Sequence, residues 1–156
     1  MSKLVSVDTC DFCAIGSGKN GNTEVVAQGE EWIAFFPLNP ATPGHTLLIP
    51  RSHVKDLWAV DERLGSILMI AAIEVGRAIE EALDPDGMNL ISSSGEAAEQ
   101  TVFHMHLHLL PRWDNDGFGP IWTTEVDSTA SSTAERATLI RNAYERTLVT
   151  ESSGAD

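Results

Sequence analysis

The sequence predicts a single domain of mixed α-helix and β-strand. Apolar residues recur at every third or fourth position across residues 61–83, which is the period of a helix buried along one side. Short apolar segments bounded by glycine, proline or asparagine have the length and composition of strands. We assign five such strands, at residues 23–28, 32–36, 45–50, 88–92 and 102–110. The length of 156 residues suits one domain. We expect that domain to cover residues 1–150, with residues 151–156 as a disordered tail.

The acidic composition limits the classes of partner. The formal net charge is −13, whereas a surface that binds nucleic acid or an anionic membrane is basic. We therefore expect neither partner, although local groups can still hold an anionic small molecule. The first residues lack the apolar segment of a signal peptide, and no apolar run is as long as a membrane span. These features predict a cytoplasmic protein, in which a structural disulfide is unusual.

The two cysteines of the chain, Cys10 and Cys13, form a C-x-x-C pair. The pair has three interpretations: half of a zinc site, a thioredoxin-like redox pair, or two inert thiols. A redox pair normally opens a helix after a strand, whereas residues 14–22 are rich in glycine and asparagine and predict a loop. A tetrahedral zinc site needs further ligands, which histidines elsewhere in the chain have to supply.

A hairpin and a proline-rich connection are predicted next. The first two strands are joined by Gly29-Glu30-Glu31, a turn-like sequence that predicts a hairpin. Residues 37–44 contain three prolines, which excludes a central strand or a helix interior. His45 opens the third strand, and His53 lies in the loop that follows it.

Residues 61–83 predict the long helix of the domain. Asp61 is a good N-cap, because its carboxylate can accept hydrogen bonds from backbone N–H groups of the first turn. The stripe predicted to face the core consists of Leu64, Ile67, Leu68, Ala71, Val75, Ile79 and Leu83. After the next strand, residues 93–100 form a loop of glycine and small hydroxyl residues. Such a loop can offer N–H and O–H groups to a phosphate.

Three of the five histidines, His104, His106 and His108, alternate with apolar residues. This pattern predicts a half-buried strand, with the imidazoles on one face and the intervening apolar side chains in the core. Pro111 ends this strand or lies at its edge. Three interpretations are possible: a structural or solvated set, a transition-metal site, or nucleophilic catalysis in which neighbouring imidazoles orient the attacking one or transfer protons.

A long loop and a second helix are predicted toward the end of the chain. Residues 112–131 lack clear periodicity but contain Trp113, Phe118 and Trp122. Loops of this length are usually functional or disordered. The aromatic residues favour an ordered loop, which we expect to pack near the active site. Residues 132–135 form a capping box, which predicts a helix as far as about residue 149.

Taken together, these motifs resemble those of the histidine triad (HIT) family. The C-x-x-C pair is followed by Pro-Gly-His at His45, Pro-Arg-Ser-His at His53, and Gln-Thr-Val-Phe before the H-x-H-x-H segment. The resemblance covers roughly residues 10–112. It implies an α+β fold, with an antiparallel sheet of about five strands, one long core helix and a C-terminal helix. It also implies a homodimer that hydrolyses or transfers nucleotides at an α-phosphorus bond, with a purine nucleotide or nucleotide conjugate as substrate.

The resemblance also assigns roles to individual residues. His106 is expected to attack the phosphorus and form a covalent nucleotidyl-histidine, which water then hydrolyses. Neutral imidazole can do this near pH 7 if its other ring nitrogen donates to a carbonyl. His108 and His45 are expected near the transferred phosphate and the leaving group, and Thr101 with nearby backbone N–H groups is expected to hold phosphate oxygens. The substrate-binding candidates are Asn39, Ser93, Gln100, Thr101 and Val102.

A zinc site is the third implication of the resemblance. In many HIT proteins with an N-terminal C-x-x-C, zinc is held by the two cysteines, a histidine after the Pro-Gly-His strand, and the first histidine of the triad. The matching positions are Cys10, Cys13, His53 and His104. A closed Cys₂His₂ set of this kind suits structural zinc.

Two positions depart from the family pattern. Eight residues before His45, where many members have Asp or Asn to bind the ribose hydroxyls, this chain has Pro37. Proline offers no side-chain hydrogen bond, and the nearby Asn39 could substitute for the usual residue. Eleven residues before His104, where an amide is common, the chain has Ser93. The residues of the chemistry are therefore intact, whereas those that recognise the nucleoside are altered.

Two other functions are consistent with the sequence. A metal-dependent hydrolase would bind a catalytic zinc with the three strand histidines. A nucleotide-binding regulatory module would keep the fold but have little turnover, which the altered positions Pro37 and Ser93 favour.

Overall fold

The computed structural model describes residues 10–19, 21, 23–121 and 130–153, without the side chains of residues 130–132 and 147–153. The chain forms two compact units, Met1–Gly119 and Pro120–Asp156. The proposal of a single domain over residues 1–150 stays a prediction. Among the described residues, no helix has both the length and the apolar character needed to cross a membrane.

The first unit contains a five-stranded antiparallel sheet. Its strands are β1 (Val25–Gln28), β2 (Trp32–Phe35), β3 (Thr46–Pro50), β4 (Gly87–Ile91) and β5 (Leu107–Arg112). They lie in the order β1-β2-β3-β5-β4, and each neighbouring pair is antiparallel. The predicted hairpin is present, since β1 pairs with β2 and the Gly29 N–H donates to the Trp32 carbonyl. The α+β fold with about five antiparallel strands is therefore confirmed.

The described residues form three α-helices: α1 (Asp11–Gly16) and α2 (Glu62–Leu83) in the first unit, and α3 (Ala130–Ser153) in the second. Asp61 caps α2 as predicted, because its carboxylate accepts from the Leu64 N–H at 2.8 Å. Most of the predicted stripe is buried, but Leu83 at the end of the helix is 43% exposed. Single turns of 3₁₀ helix occur at Leu57–Ala59 and Glu96–Ala98.

The two faces of the sheet have different neighbours. One face packs on α2, in a core that includes Ala34, Leu48, Leu68, Val75, Met105, Leu107 and Leu109. The other face packs on α1, in a smaller core that includes Phe12, Ile15, Ile33, Phe35, Leu47 and Ile49. Successive residues of β2 and β3 alternate between these cores, as strand geometry requires. The sheet therefore separates the α2 core from the α1 side.

The predicted histidine strand starts later than expected. Strand β5 begins at Leu107 rather than at residue 102, because the backbone before it bonds to a loop instead of to β3. The Met105 N–H donates to the Val54 carbonyl at 2.6 Å. The alternation of sides is nevertheless retained, since Met105 and Leu107 belong to the α2 core. Pro111 lies inside β5, beyond Leu109 where the pairing with β3 stops, so it has β4 alone as its ladder neighbour.

Helix α1 was not predicted, since residues 14–22 were assigned to a loop. The turn forms because the Ala14 N–H donates to the Cys10 carbonyl, and because Phe12 and Ile15 bury their side chains on the sheet. Tertiary burial here outweighs the local preference of a short segment. The two cysteines therefore flank a helical turn that is packed against the sheet.

Helix α3 in the second unit is longer than the predicted helix at residues 132–149. It spans Ala130–Ser153 and includes the first three residues of the predicted disordered tail. No glycine or proline occurs between residues 130 and 153, so no helix breaker stands before Gly154. Residues 154–156 lie outside the described residues.

Gly44 immediately precedes His45, and we expect it to be the glycine most sensitive to substitution. Its φ is +76°, and an added Cβ would lie 2.3 Å from Leu83 Cδ1 and 3.4 Å from Pro111 Cγ. Gly44→Ala should therefore cost about 1–3 kcal/mol of unfolding free energy, measured by urea denaturation. Gly21→Ala is the matched control, since no described atom lies within 4 Å of its Cβ position. Equal stability of the two variants would contradict this account.

Candidate active site

A cleft on the α1 side of the sheet brings the predicted catalytic residues together. Its volume is about 630 Å³. It is lined by Asp11, Phe12, Ile15, Thr23, Phe35, Phe36, Pro37, Leu38, Asn39, His45, Leu47, Thr101, Val102, His106 and His108. These residues come from α1, the segment before β1, the end of β2 and the segment after it, the start of β3 with His45 before it, and the start of β5 with the segment before it. Three imidazoles therefore share one largely apolar cavity, which is the usual setting of a small-molecule site.

His106 is held in one tautomer at the buried end of this cleft. Its side chain is 6% exposed, and its Nδ1 lies 2.7 Å from the His104 carbonyl oxygen. Because a carbonyl oxygen only accepts, Nδ1 must bear the proton and Nε2 must bear the lone pair. The Phe12 ring meets the imidazole edge-on, with centroids 5.3 Å apart. The side chain is thus fixed with an unprotonated nitrogen available for attack.

His45 and His108 form a directional pair beside it. The Ala41 N–H donates to His45 Nδ1 at 3.1 Å, so the proton of His45 is on Nε2. His45 Nε2 lies 2.9 Å from His108 Nδ1, and it must therefore donate to that atom. The proton of His108 is then on Nε2. One backbone N–H thus sets both tautomers and leaves His108 Nε2–H as a donor.

Burial keeps these imidazoles neutral. Desolvation lowers the pKa of His106 below its ordinary value. Desolvation, with a smaller contribution from His106, also lowers the pKa of His45. The pKa of His108 is lowered to about 4, chiefly by burial and then by its histidine neighbours. Near neutral pH these three imidazoles are therefore uncharged.

These shifts predict a pH dependence that can be measured. His108 should stay neutral as the pH falls through 6.5 and gain its proton only near pH 4. The unfolded chain takes up that proton first, so stability should fall as the pH is lowered from about 6.5 toward 4. Imidazole ¹⁵N NMR reports both the protonation and the tautomer. A His108 that titrates near pH 6.5 with its proton on Nδ1 would be inconsistent with the pair described above.

A second cluster of side chains lies next to the cleft. The ligand atoms of Cys10, Cys13, His53 and His104 are all within 4.8 Å of one another. Cys13 Sγ is 3.2 Å from His53 Nδ1 and 3.5 Å from His104 Nδ1, and Cys10 Sγ is also 3.5 Å from His104 Nδ1. Tetrahedral zinc with ordinary bond lengths places sulfur and nitrogen ligands about 3.5 Å apart. The four residues therefore fit a zinc ion.

The surroundings of the cluster agree with a metal site. His104 is fully buried, and its Nε2 lies 2.9 Å from the Pro50 carbonyl oxygen, to which it donates. This bond leaves Nδ1 unprotonated and directed at the cysteines, as a ligating histidine requires. Burial, together with Cys10, raises the pKa of the Cys13 thiol to about 11. A dication would therefore have to displace the thiol proton on binding.

The predicted substrate-binding residues fall into two groups. Asn39, Thr101 and Val102 line the cleft, as expected of contact residues. Ser93 and Gln100 are not among the lining residues. The Gln100 amide is 3% exposed and bonds to the backbone of Gly95, Lys55 and Val102. The buried Gln100 side chain therefore holds the Val102 backbone in place, and both of its amide N–H groups are already bonded to backbone carbonyls.

Several lining residues were not predicted from the sequence. The clearest are Asp11 and Phe12, which stand between the two cysteines, and Leu38, which is 95% exposed at the rim. For Asp11 and Phe12 the signal was the C-x-x-C pair itself, because two cysteines held in one cluster also fix the residues between them. The backbone groups of Ala41 and His104 were not predictable as specific partners.

The aromatic loop after β5 does not line the cleft in its described part. Trp113 and Phe118 are half-buried, and the Arg112 guanidinium lies 4.4 Å from the Phe118 ring centroid. Arg112 also pairs with Asp116, which holds the pKa of that carboxyl well below its usual range. Up to residue 119 the loop therefore does not line the cleft of its own chain, because it folds back on Arg112, and packing near the active site across a dimer stays a prediction. Trp122 lies outside the described residues.

Comparison with known proteins agrees with this geometry. The family model described as HIT domain matches residues 19–115. The Bacillus subtilis protein "Protein hit" is 36% identical over 121 residues, which cover 77% of this chain and 83% of that protein. A crystal structure of a HIT family protein from Bacillus anthracis has a TM-score of 0.79 at 36% identity, covering 87% of this chain and 97% of the other.

A zinc-bound structure is also similar. A ZN-bound histidine triad family protein from Mycobacterium smegmatis has a TM-score of 0.67 at 32% identity, covering 90% of this chain and 99% of the other. The fold, the three imidazoles in one cleft and these matches define the class of protein. The chain belongs to the HIT family.

Proposed function

We propose that the protein is a nucleotide hydrolase or nucleotidyl transferase that cleaves an α-phosphorus bond through a covalent nucleotidyl-histidine on His106. The observation that supports this most strongly is the fixed tautomer of His106, with Nδ1 bonded to the His104 carbonyl and Nε2 free in the cleft. The proposed substrate class is a purine nucleoside phosphoramidate or a related nucleotide conjugate. HIT membership supports the choice of a nucleotide ligand.

The first step breaks the bond between the α-phosphorus and the leaving group. The Nε2 lone pair of His106 attacks the phosphorus, and the electron pair of the breaking bond goes to the leaving group. The ring then has a positive charge, which the His104 carbonyl stabilises by accepting the Nδ1–H. His108 Nε2–H is proposed to donate a hydrogen bond to the leaving group, which takes its proton from solvent water.

The second step reverses the first with water as the nucleophile. The proton of the attacking water is released to solvent, which balances the proton that the leaving group took up in the first step. The new phosphorus–oxygen bond forms as the phosphorus–Nε2 bond breaks, which releases a nucleoside monophosphate and restores neutral His106. Thr101 and the backbone beside it are proposed to hold the phosphate oxygens.

Two alternatives are less well supported. A catalytic metal on the three strand histidines requires His106 and His108 to offer ligand nitrogens together with His104. In the described residues His104 belongs instead to the cluster with the two cysteines. A binding module without turnover does not require an unprotonated His106 Nε2 beside the hydrogen-bonded pair of His45 and His108. Pro37, which departs from the family pattern, is the feature that favours this alternative.

We propose zinc as a structural ion at Cys10, Cys13, His53 and His104. The donor set and its distances support this, as does the neighbouring carbonyl of Pro50. All four positions are protein ligands, which makes a closed tetrahedral site that stabilises the fold and performs no chemistry. The zinc would tie α1 to the loop after β3 and to the segment before β5.

We also propose a homodimer through α2 and the edge strand β4. Apolar side chains in the middle of α2 are exposed, Met69 at 47%, Ile70 at 58% and Ile73 at 47%, and Leu90 on β4 is 48% exposed. Light scattering should give twice the mass of one chain. Ile70→Glu should yield monomer, whereas Trp58→Glu, which changes an 81% exposed residue elsewhere, should not. Monomer in the wild type would refute the dimer.

A cytoplasmic location stays a prediction.

The direct test of the proposed function is turnover. Purified protein is incubated with adenosine and guanosine 5′-phosphoramidates, and release of the nucleoside monophosphate is followed by chromatography. The proposal expects catalytic release that is undiminished by a chelator too weak to remove structural zinc. Absence of release with both compounds would favour the binding-module alternative.

A further inference from the structure

The cleft has a buried reacting end and an open outer end. At the buried end His106 is 6% exposed and Phe12 is 9% exposed. At the outer end Asp11 is exposed, Phe36 is 45% exposed and Leu38 is 95% exposed. In a 5′-nucleotide the base is the part farthest from the phosphorus, with the sugar between them. A nucleotide whose phosphorus lies at His106 therefore places its base among these outer residues.

The three histidines of the cleft are neutral. Apart from them, Asp11 is the one acidic or basic side chain among the described lining residues. Neither lysine nor arginine is in that set. Within the described part of the chain, the Asp11 carboxylate makes no hydrogen bond or ion pair, so both oxygens are available to a ligand. Its backbone position is fixed, because Phe12 next to it is packed against Phe35 and His106.

A carboxylate in this position selects among the bases by their donors. Carboxylates only accept hydrogen bonds and pair best with two parallel N–H donors. Guanine offers this arrangement at N1–H and its 2-amino group. Adenine and cytosine each present a ring-nitrogen lone pair beside their amino group, which a carboxylate repels, and uracil flanks its single N–H with two carbonyls. The apolar side chains of Phe36 and Leu38 provide surface for a flat ring.

We propose that Asp11 makes the protein selective for guanine nucleotides, with its carboxylate accepting the N1–H and 2-amino N–H bonds of the base. This inference rests on the proposed function for the orientation of the substrate. It assigns specificity to Asp11, the first of the two residues between the cysteines, and not to residues 36–39, where Pro37 provides no side-chain hydrogen bond.

The test compares kcat/KM for guanosine, inosine and adenosine 5′-phosphoramidates. Inosine keeps the N1–H but lacks the 2-amino group, so its kcat/KM should lie between those of guanosine and adenosine. Wild type should prefer guanosine over adenosine by about tenfold to a hundredfold, as a bidentate pair commonly gives. Asp11→Asn should remove most of this preference by slowing guanosine alone. Asp114→Asn, which changes an exposed aspartate outside the cleft lining, should leave the preference unchanged.

Other results would overturn the inference in distinguishable ways. Equal rates for guanosine and adenosine, or an equal loss for both in Asp11→Asn, would exclude base selection by this carboxylate. If removal of the ribose hydroxyls, tested with 2′,3′-dideoxyguanosine 5′-phosphoramidate, lowered the wild-type kcat/KM as much as Asp11→Asn lowers it for guanosine, Asp11 would bind the sugar instead. If no compound turned over, the calorimetric affinities of the wild type and Asp11→Asn for GMP and AMP would test base selection by Asp11. Tighter GMP binding that disappears in Asp11→Asn supports the inference although the proposed function fails, and equal binding refutes it.

Discussion

His106→Asn is expected to lower kcat for phosphoramidate hydrolysis by at least about 10⁴-fold, the scale seen when a covalent nucleophile is removed. Asparagine lacks the Nε2 lone pair that attacks the phosphorus, but its amide N–H can still donate to the His104 carbonyl. The buried surroundings should therefore be kept. The measurement is a steady-state rate with nucleotide binding determined separately by calorimetry.

The controls separate this result from the alternatives. Zinc content and melting temperature should match those of the wild type, because His106 is not in the cysteine cluster. A catalytic metal held by the strand histidines predicts loss of metal in the same variant. A variant that kept a tenth of the wild-type rate would contradict a nucleophilic His106.

Removal of the proposed zinc should have the second large effect. Cys13→Ser is expected to lose the ion and to lower the melting temperature by roughly 10 °C or more, since structural zinc sites contribute directly to folding. The cluster joins three separate segments, namely α1, the loop after β3 and the segment before β5. Without the ion, Cys13 has only weak contacts to the imidazoles.

Loss of the metal should also reduce activity indirectly. The Cys10–Cys13 turn contains Phe12, whose ring meets both His104 and His106 edge-on. A loosened turn therefore disturbs the nucleophile and one wall of the cleft. Elemental analysis and thermal melts are the measurements, and Ser52→Ala, an exposed neighbour of His53, is the matched control. Full zinc occupancy with an unchanged melting temperature in Cys13→Ser would show that the cluster is not a metal site.

Much of the fold was predictable because buried positions recur with the period of a helix or a strand, and apolar residues occupy those positions. Helix α2 and its Asp61 cap, the hairpin and the third and fourth strands all follow from apolar spacing and turn residues. The two sides of the histidine segment were predictable for the same reason. Alternating imidazoles and apolar residues fix which core each side chain enters, even where residues 104–106 are not in the strand.

What escaped prediction depends on backbone groups and tertiary contacts. The Met105 N–H bonds to the Val54 carbonyl, which delays the start of β5, and nothing in either side chain indicates this. The tautomers of the cleft depend in the same way on the Ala41 N–H and the His104 carbonyl. Gln100 has the residue type of a ligand contact, but its amide is used by three backbone groups.

The most direct test of the account is intact-protein mass spectrometry after rapid quenching with a guanosine or adenosine 5′-phosphoramidate. Covalent catalysis by His106 predicts a wild-type mass increase equal to one nucleotidyl group, mapped by peptide analysis to His106 and absent from His106→Asn. Product formation by the wild type without any adduct, in a quench fast enough to precede the first turnover, would mean direct attack by water and would contradict covalent catalysis.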